Sequence, residues 1–127
     1  MSAEADRFRD EESQPYGLED RTFRFAKAIR PFVKRLPNTI GHQEDVRQLI
    51  RSSGSVAANF IEAVEALSKK DYVYRIKICR KEAKGSGLWL RLLSAEEAAL
   101  LTAERDELAN ESTELMNIFA SISRRHQ

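Results

Sequence analysis

The sequence predicts an all-α protein, an antiparallel up-down-up-down four-helix bundle. Apolar side chains recur at alternating steps of three and four along four stretches, the spacing that lines one face of a helix. Only five Gly and three Pro are spread over 127 residues, far fewer turn formers than a strand-rich fold needs. The four stretches are joined by short connections, which makes consecutive helices antiparallel neighbours. With 42% hydrophobic and 32% charged residues, the chain fits one core and one domain.

Residues 1–17 are polar and acidic, lack apolar periodicity and end on Pro15 and Gly17, so we read them as a disordered or loosely attached arm preceding a bundle domain over residues 18–125. The first helix starts near Leu18 and carries Leu18, Thr22, Phe25, Ile29, Phe32 and Leu36 on one face, with Pro37 ending it. Pro31 falls inside this pattern. It removes a backbone donor and crowds the preceding turn, at a cost of about 3 kcal/mol, and predicts a kink.

After a turn over residues 37–41, a second stripe runs through Val46, Leu49 or Ile50, Ser53, Val56 or Ala57, Phe60, Val64 and Leu67. Its centre, Ser52 to Ser55 with Ala57 and Ala58, is small enough to let a neighbour approach closely. A phosphate cradle is excluded there, because mid-helix amides are already bonded. Ser68 followed by Asp71 is a capping-box variant and starts the third helix at about Lys69. Tyr72, Ile76, Cys79, Ala83, Ser86, Leu90 and Leu93 form its stripe, widened by Trp89 and Leu92 toward a second neighbour. The lone Cys79 lies on that stripe and reads as a small core hydrophobe. The fourth helix starts at Thr102 and carries Leu108, Leu115, Ile118, Phe119 and Ile122, with Arg124, Arg125 and His126 at the end its dipole favours for positive charge.

Composition and motifs exclude most functions. Neither His42 nor His126 follows a Glu by three residues, as a di-iron bundle requires, and Cys79 has no second cysteine to share a zinc ion or disulfide. Walker and nucleophile-elbow motifs are absent. We therefore expect no enzymatic activity, no cofactor or metal and no small-molecule substrate. The charged opening segment is not a signal peptide, and no apolar run approaches the ~20 residues of a membrane span. The expected location is cytoplasmic, with no membrane contact.

Charge is segregated within an overall balance of +1. Residues 1–20 and 94–127 are acidic and residues 21–93 are basic, most strongly the third helix with Lys69, Lys70, Arg75, Lys77, Arg80, Lys81, Lys84 and Arg91. Pairing of helix against helix is the preferred reading of this pattern, with binding of RNA or DNA as the alternative. Lys70, Lys77, Lys81 and Lys84 share one face and are the candidate nucleic-acid-binding residues. With no aromatic clearly exposed among them, contact would be mainly to phosphates. Arg51, Asn59, Glu62 and Glu82 lie beside apolar stripes and are candidates for a polar network or subunit interface that fixes register.

The chain resembles a family of bacterial four-helix-bundle proteins first noticed as products of intervening sequences in 23S ribosomal RNA genes. The resemblance covers roughly residues 18–122. It rests on Arg21-Thr22, Phe25-Ala26, Leu36-Pro37, Gln48-Leu49-Ile50-Arg51-Ser52-Ser53-Gly54-Ser55-Val56-Ala57-Ala58-Asn59, Glu62-Ala63, Ser68-Lys69-Lys70-Asp71-Tyr72, Lys81-Glu82-Ala83 and Trp89-Leu90. It implies a homopentamer and no catalytic activity. The genomic setting of such proteins suggests a link to ribosomal RNA, and a related, more basic bundle serves reverse transcriptases as a nucleic-acid-binding accessory. Pro31, Gly85 and Gly87 depart from the family pattern, and the glycines allow a bend or a close contact.

Overall fold

The computed structural model describes residues 17–93 and 99–126, and these form four helices in sequence: α1 Leu18–Lys34, α2 Ile40–Val64, α3 Lys69–Leu92 and α4 Ala99–Arg125. Each helix packs on its neighbours in the ring α1, α2, α3, α4 and back to α1. Side-chain contacts give the directions. Ser52 in the middle of α2 meets Ser86 late in α3, while Asn59 further along α2 meets Arg75 earlier in α3. Likewise Arg105 near the start of α4 donates to the carbonyl of Leu93, and the ring of His126 at its end meets that of Tyr72 near the start of α3, tilted at 56°. Arg21 reaches Glu111 whereas Arg35 reaches Glu104, so α4 also runs opposite to α1.

The local chemistry of each terminus is visible. Gly17 takes φ 70° as the cap of α1, a left-handed conformation that costs a side chain. Its carbonyl accepts the first helical bond from the Arg21 amide at 2.9 Å. Thr39 caps α2 by accepting from the amide of His42, and Ser68 caps α3 by accepting from the amide of Asp71. Arg124 and Arg125 lie in the last turn of α4, where their charge complements the dipole.

The anticipated stripes supply the core. Leu18, Thr22, Phe25, Ile29, Phe32 and Leu36 are buried from the first segment, and Ile76, Cys79, Ala83, Ser86, Leu90 and Leu93 from the third. Across the centre the rings of Phe60 and Phe119 meet at 6.0 Å between centroids. Each large apolar side chain so buried contributes roughly 1.5–3 kcal/mol.

Three expectations need correction, at Leu67, at Leu92 and at the start of α4, whereas Pro31 lies inside α1 as anticipated, the helix continuing to Lys34. Pro31 lies within a turn of that end and on the exposed face, where a missing donor disturbs least. Leu67 leaves its stripe, because α2 stops at Val64 and the residue stands 97% exposed in the connection. Leu92 stays on the outer surface instead of widening the packed face. Lastly, α4 begins at Ala99, three residues ahead of Thr102.

The small centre of α2 serves two contacts. On one side the Ser52 and Ser86 hydroxyls meet between helices at a buried 2.8 Å; one donates to the other, and the second donates to a carbonyl of its own helix, Glu82 for Ser86 or Leu49 for Ser52. On the other, Gly54 leaves room for the Arg30 guanidinium, which a Cβ there would meet at 3.3 Å. That guanidinium donates to Ser53 Oγ and to the carbonyls of Ala26 and Ile50, tying α1 to α2.

Candidate functional site

The polar candidates separate into two α2–α3 links and one exposed residue. Arg51 donates to Glu82 at 3.1 Å, across the seam between the helices. Glu82 is nearly buried, with a side chain 11% exposed, while that of Arg51 is 61% exposed, so water screens the pair from one side. Asn59 belongs to a different link, accepting from Arg75 at 3.0 Å and donating to Ser55 Oγ and the Ser55 carbonyl. Glu62 points outward and joins neither link. Both links lie within one chain and fix how α2 and α3 slide against each other.

Cys79 is fully buried with its Sγ 3.6 Å from the Val56 carbonyl. Burial pushes the thiol up to about 12, the opposite of what a nucleophile or metal ligand requires. Arg21 is held above its ordinary value by its hydrogen bond to Glu111 and by the nearby Glu114 charge. This cluster clamps α1 to α4. Among the described residues no group of three His, Cys, Asp or Glu side chains is placed to hold a metal ion, and no helix is long and apolar enough to cross a membrane.

The outer face of α3 is the distinctive surface. Lys70, Lys77, Lys81 and Lys84 are all exposed, and with Arg80 and Arg91 they enter no ion pair or hydrogen bond among the described residues. The contrast with the other helices is sharp. Arg21, Arg24, Arg35, Arg47, Arg51 and Arg105 all hold a carboxylate partner. Tyr74 corrects the expectation that no aromatic is exposed in this set. It is 59% exposed between Lys70 and Lys77, with the Arg75 guanidinium 5.7 Å from its ring centre. Its place on the Lys70 face follows from the four-residue spacing, a signal masked in the sequence by the adjacent apolar Tyr72 and Val73.

Further along the same helix the surface changes character. Leu88 and Leu92 are about half exposed, and the antiparallel topology brings that end of α3 beside Ile40 at the start of α2 and Leu100 near the start of α4, 87% and 84% exposed. Exposed apolar side chains thus stand toward both ends of the bundle, because Phe23, Ile61 and Leu67 lie toward the other one, and the cationic stripe of α3 runs between them.

The family model described as 23S rRNA-intervening sequence protein matches residues 18–121. Among solved structures, the chain is similar to a protein of unknown function from the S23 ribosomal protein family of Bacteroides thetaiotaomicron, with 31% identity and a TM-score of 0.70 over 84% of this chain and 94% of that one. No curated protein matches.

Proposed function

The chain belongs to the 23S rRNA-intervening sequence protein family, and we propose that it acts without catalysis, as a homopentameric helical scaffold whose subunits join through the end of the bundle that carries Ile40, Leu92 and Leu100. The observation that carries this reading is that Ile40, Leu88, Leu92 and Leu100, from three helices that share an end of the bundle, are each a large hydrophobic left in water by the single chain. Large apolar side chains left exposed on a small domain are candidates for a surface that is covered in use. A closed ring needs two unlike patches that meet head to tail, and the differing surfaces of α3 and its neighbours supply them. Replacement of Leu92 and Leu100 by Lys leaves the core untouched and reduces the mass in light scattering to that of one chain, with helical content retained. An unchanged mass excludes this end as the interface.

A second reading, contact with RNA or DNA phosphates, is favoured by the α3 cations that have no partner among the described residues. Lys70, Lys77, Lys81 and Lys84 lie within about four turns on one face, and Tyr74 adds a stacking surface among them. Binding of a structured ribosomal RNA fragment, followed by fluorescence anisotropy, should then weaken steeply with salt. Absence of binding at low salt removes this reading.

A further inference from the structure

The exposed aromatic ring of the α3 stripe is held from behind. Tyr74 stands one turn after Lys70 and just before Lys77, and it remains 59% exposed. The Arg75 guanidinium lies over its ring, 5.7 Å from the centre. That guanidinium is anchored in turn. It donates to Asn59 Oδ1 at 3.0 Å, and Asn59 donates to the Ser55 hydroxyl at 2.9 Å and to the Ser55 carbonyl at 3.0 Å. The Ser55–Asn59–Arg75 link between α2 and α3 therefore ends on a ring that faces water. A ring backed by a fixed cation has less freedom left to lose when a second flat group settles on it.

We propose that Tyr74 is a stacking platform for an unpaired nucleobase, which makes the outer face of α3 a site for single-stranded nucleic acid; this rests on the phosphate-contact reading and names its ligand. The lysines do not choose between strands, because single strands and duplexes both carry phosphates. Tyr74 does choose. A base inside a duplex is already stacked and paired, whereas a base in a single strand can turn out onto an aromatic side chain. The position of the ring suits this. Lys70 to Lys84 spans roughly 21 Å of helix, and Tyr74 lies between Lys70 and Lys77, so a strand whose phosphates meet both lysines carries a base past the ring. Phe23, the other large aromatic exposed among the described residues, stands beside Lys27 on α1, across the ring of helices from α3. It has no part in the stripe and serves as a control.

The test uses the full chain at low salt and fluorescence anisotropy with three labelled probes of about a dozen nucleotides: oligodeoxyadenylate, its duplex with the complement, and an abasic strand carrying the same phosphates. Wild-type protein should bind the adenylate strand about tenfold tighter than the abasic strand, and tighter than the duplex. Tyr74→Ala should remove that advantage and leave the abasic strand and the duplex unchanged; Tyr74→Phe and Phe23→Ala should keep it. Asn59→Ala, which releases Arg75, should lose part of it while helical content is retained. Oligoriboadenylate should show the same dependence on Tyr74, because stacking engages the base and not the sugar. No binding of any probe removes the phosphate-contact reading and this inference together. Equal binding of the adenylate and abasic strands, tighter binding of the duplex, a Tyr74→Ala loss shared by the abasic strand, or an equal loss in Phe23→Ala overturns the inference and leaves that reading standing.

Discussion

Glycines 85 and 87 sit two residues apart on α3 and respond to the same substitution with opposite signs. A Cβ at Gly87 would lie 2.7 Å from Ser112 Oγ, which is itself bonded to the Ala109 carbonyl, whereas nothing lies within 4 Å of one at Gly85. Gly87→Ala should therefore destabilise the protein by about 1–3 kcal/mol, and Gly85→Ala should stabilise it by up to about 1 kcal/mol, in urea unfolding. The sequence marks both as departures from helix formers, but it does not distinguish them, because only the approach of α4 makes one glycine obligatory. Cys79 gives a second test at this scale. A thiol pushed up to about 12 in the fold keeps its proton while the unfolded chain loses it, so stability declines as pH rises from about 9 toward about 12. Over that window wild-type Tm should fall more steeply than that of Cys79→Ala, by up to about 1.4 kcal/mol per pH unit in stability. Parallel curves for the two proteins would show that the thiol is not protected.

For a helix, the question is what starts it, what ends it and what fixes its register. Ser68→Ala removes the acceptor for the Asp71 amide and should cost about 1 kcal/mol. Pro31→Ala should stabilise α1, because it restores a donor near the end of a helix that already continues past that point. The α2–α3 register depends on an asymmetric pair. Removing Arg51 leaves the nearly buried Glu82 carboxylate without that partner, so Arg51→Ala should cost about 1–2 kcal/mol, while Glu82→Leu should be close to neutral. Equal losses in thermal unfolding would contradict that account. Helix identity was legible from apolar spacing in all four cases, since a stripe such as Tyr72 to Leu93 admits no other period. Ends were less legible. Leu67 continues the α2 spacing, yet the chain leaves the helix at Val64, and the turn toward the Ser68 cap decides the matter. Partners were hardest: Asn59 and Arg75 meet across two helices, and no local pattern announces that contact.

At the level of the whole molecule, the described residues leave exposed an apolar set at the end that carries Ile40, Leu92 and Leu100 and a cationic stripe along α3. The stripe was readable from Lys70, Lys77, Lys81 and Lys84 in the sequence, because helical spacing alone aligns them. The apolar set was not, since Ile40, Leu92 and Leu100 come from three helices and share an end only through the topology. The proposed scaffold makes this end a subunit contact, and light scattering of the purified full chain over a range of concentrations tests that most directly. We predict a mass five times that of the chain, which falls to the single-chain mass when Leu92 and Leu100 are replaced by Lys. A single-chain mass for the wild-type protein at micromolar concentration would contradict the account.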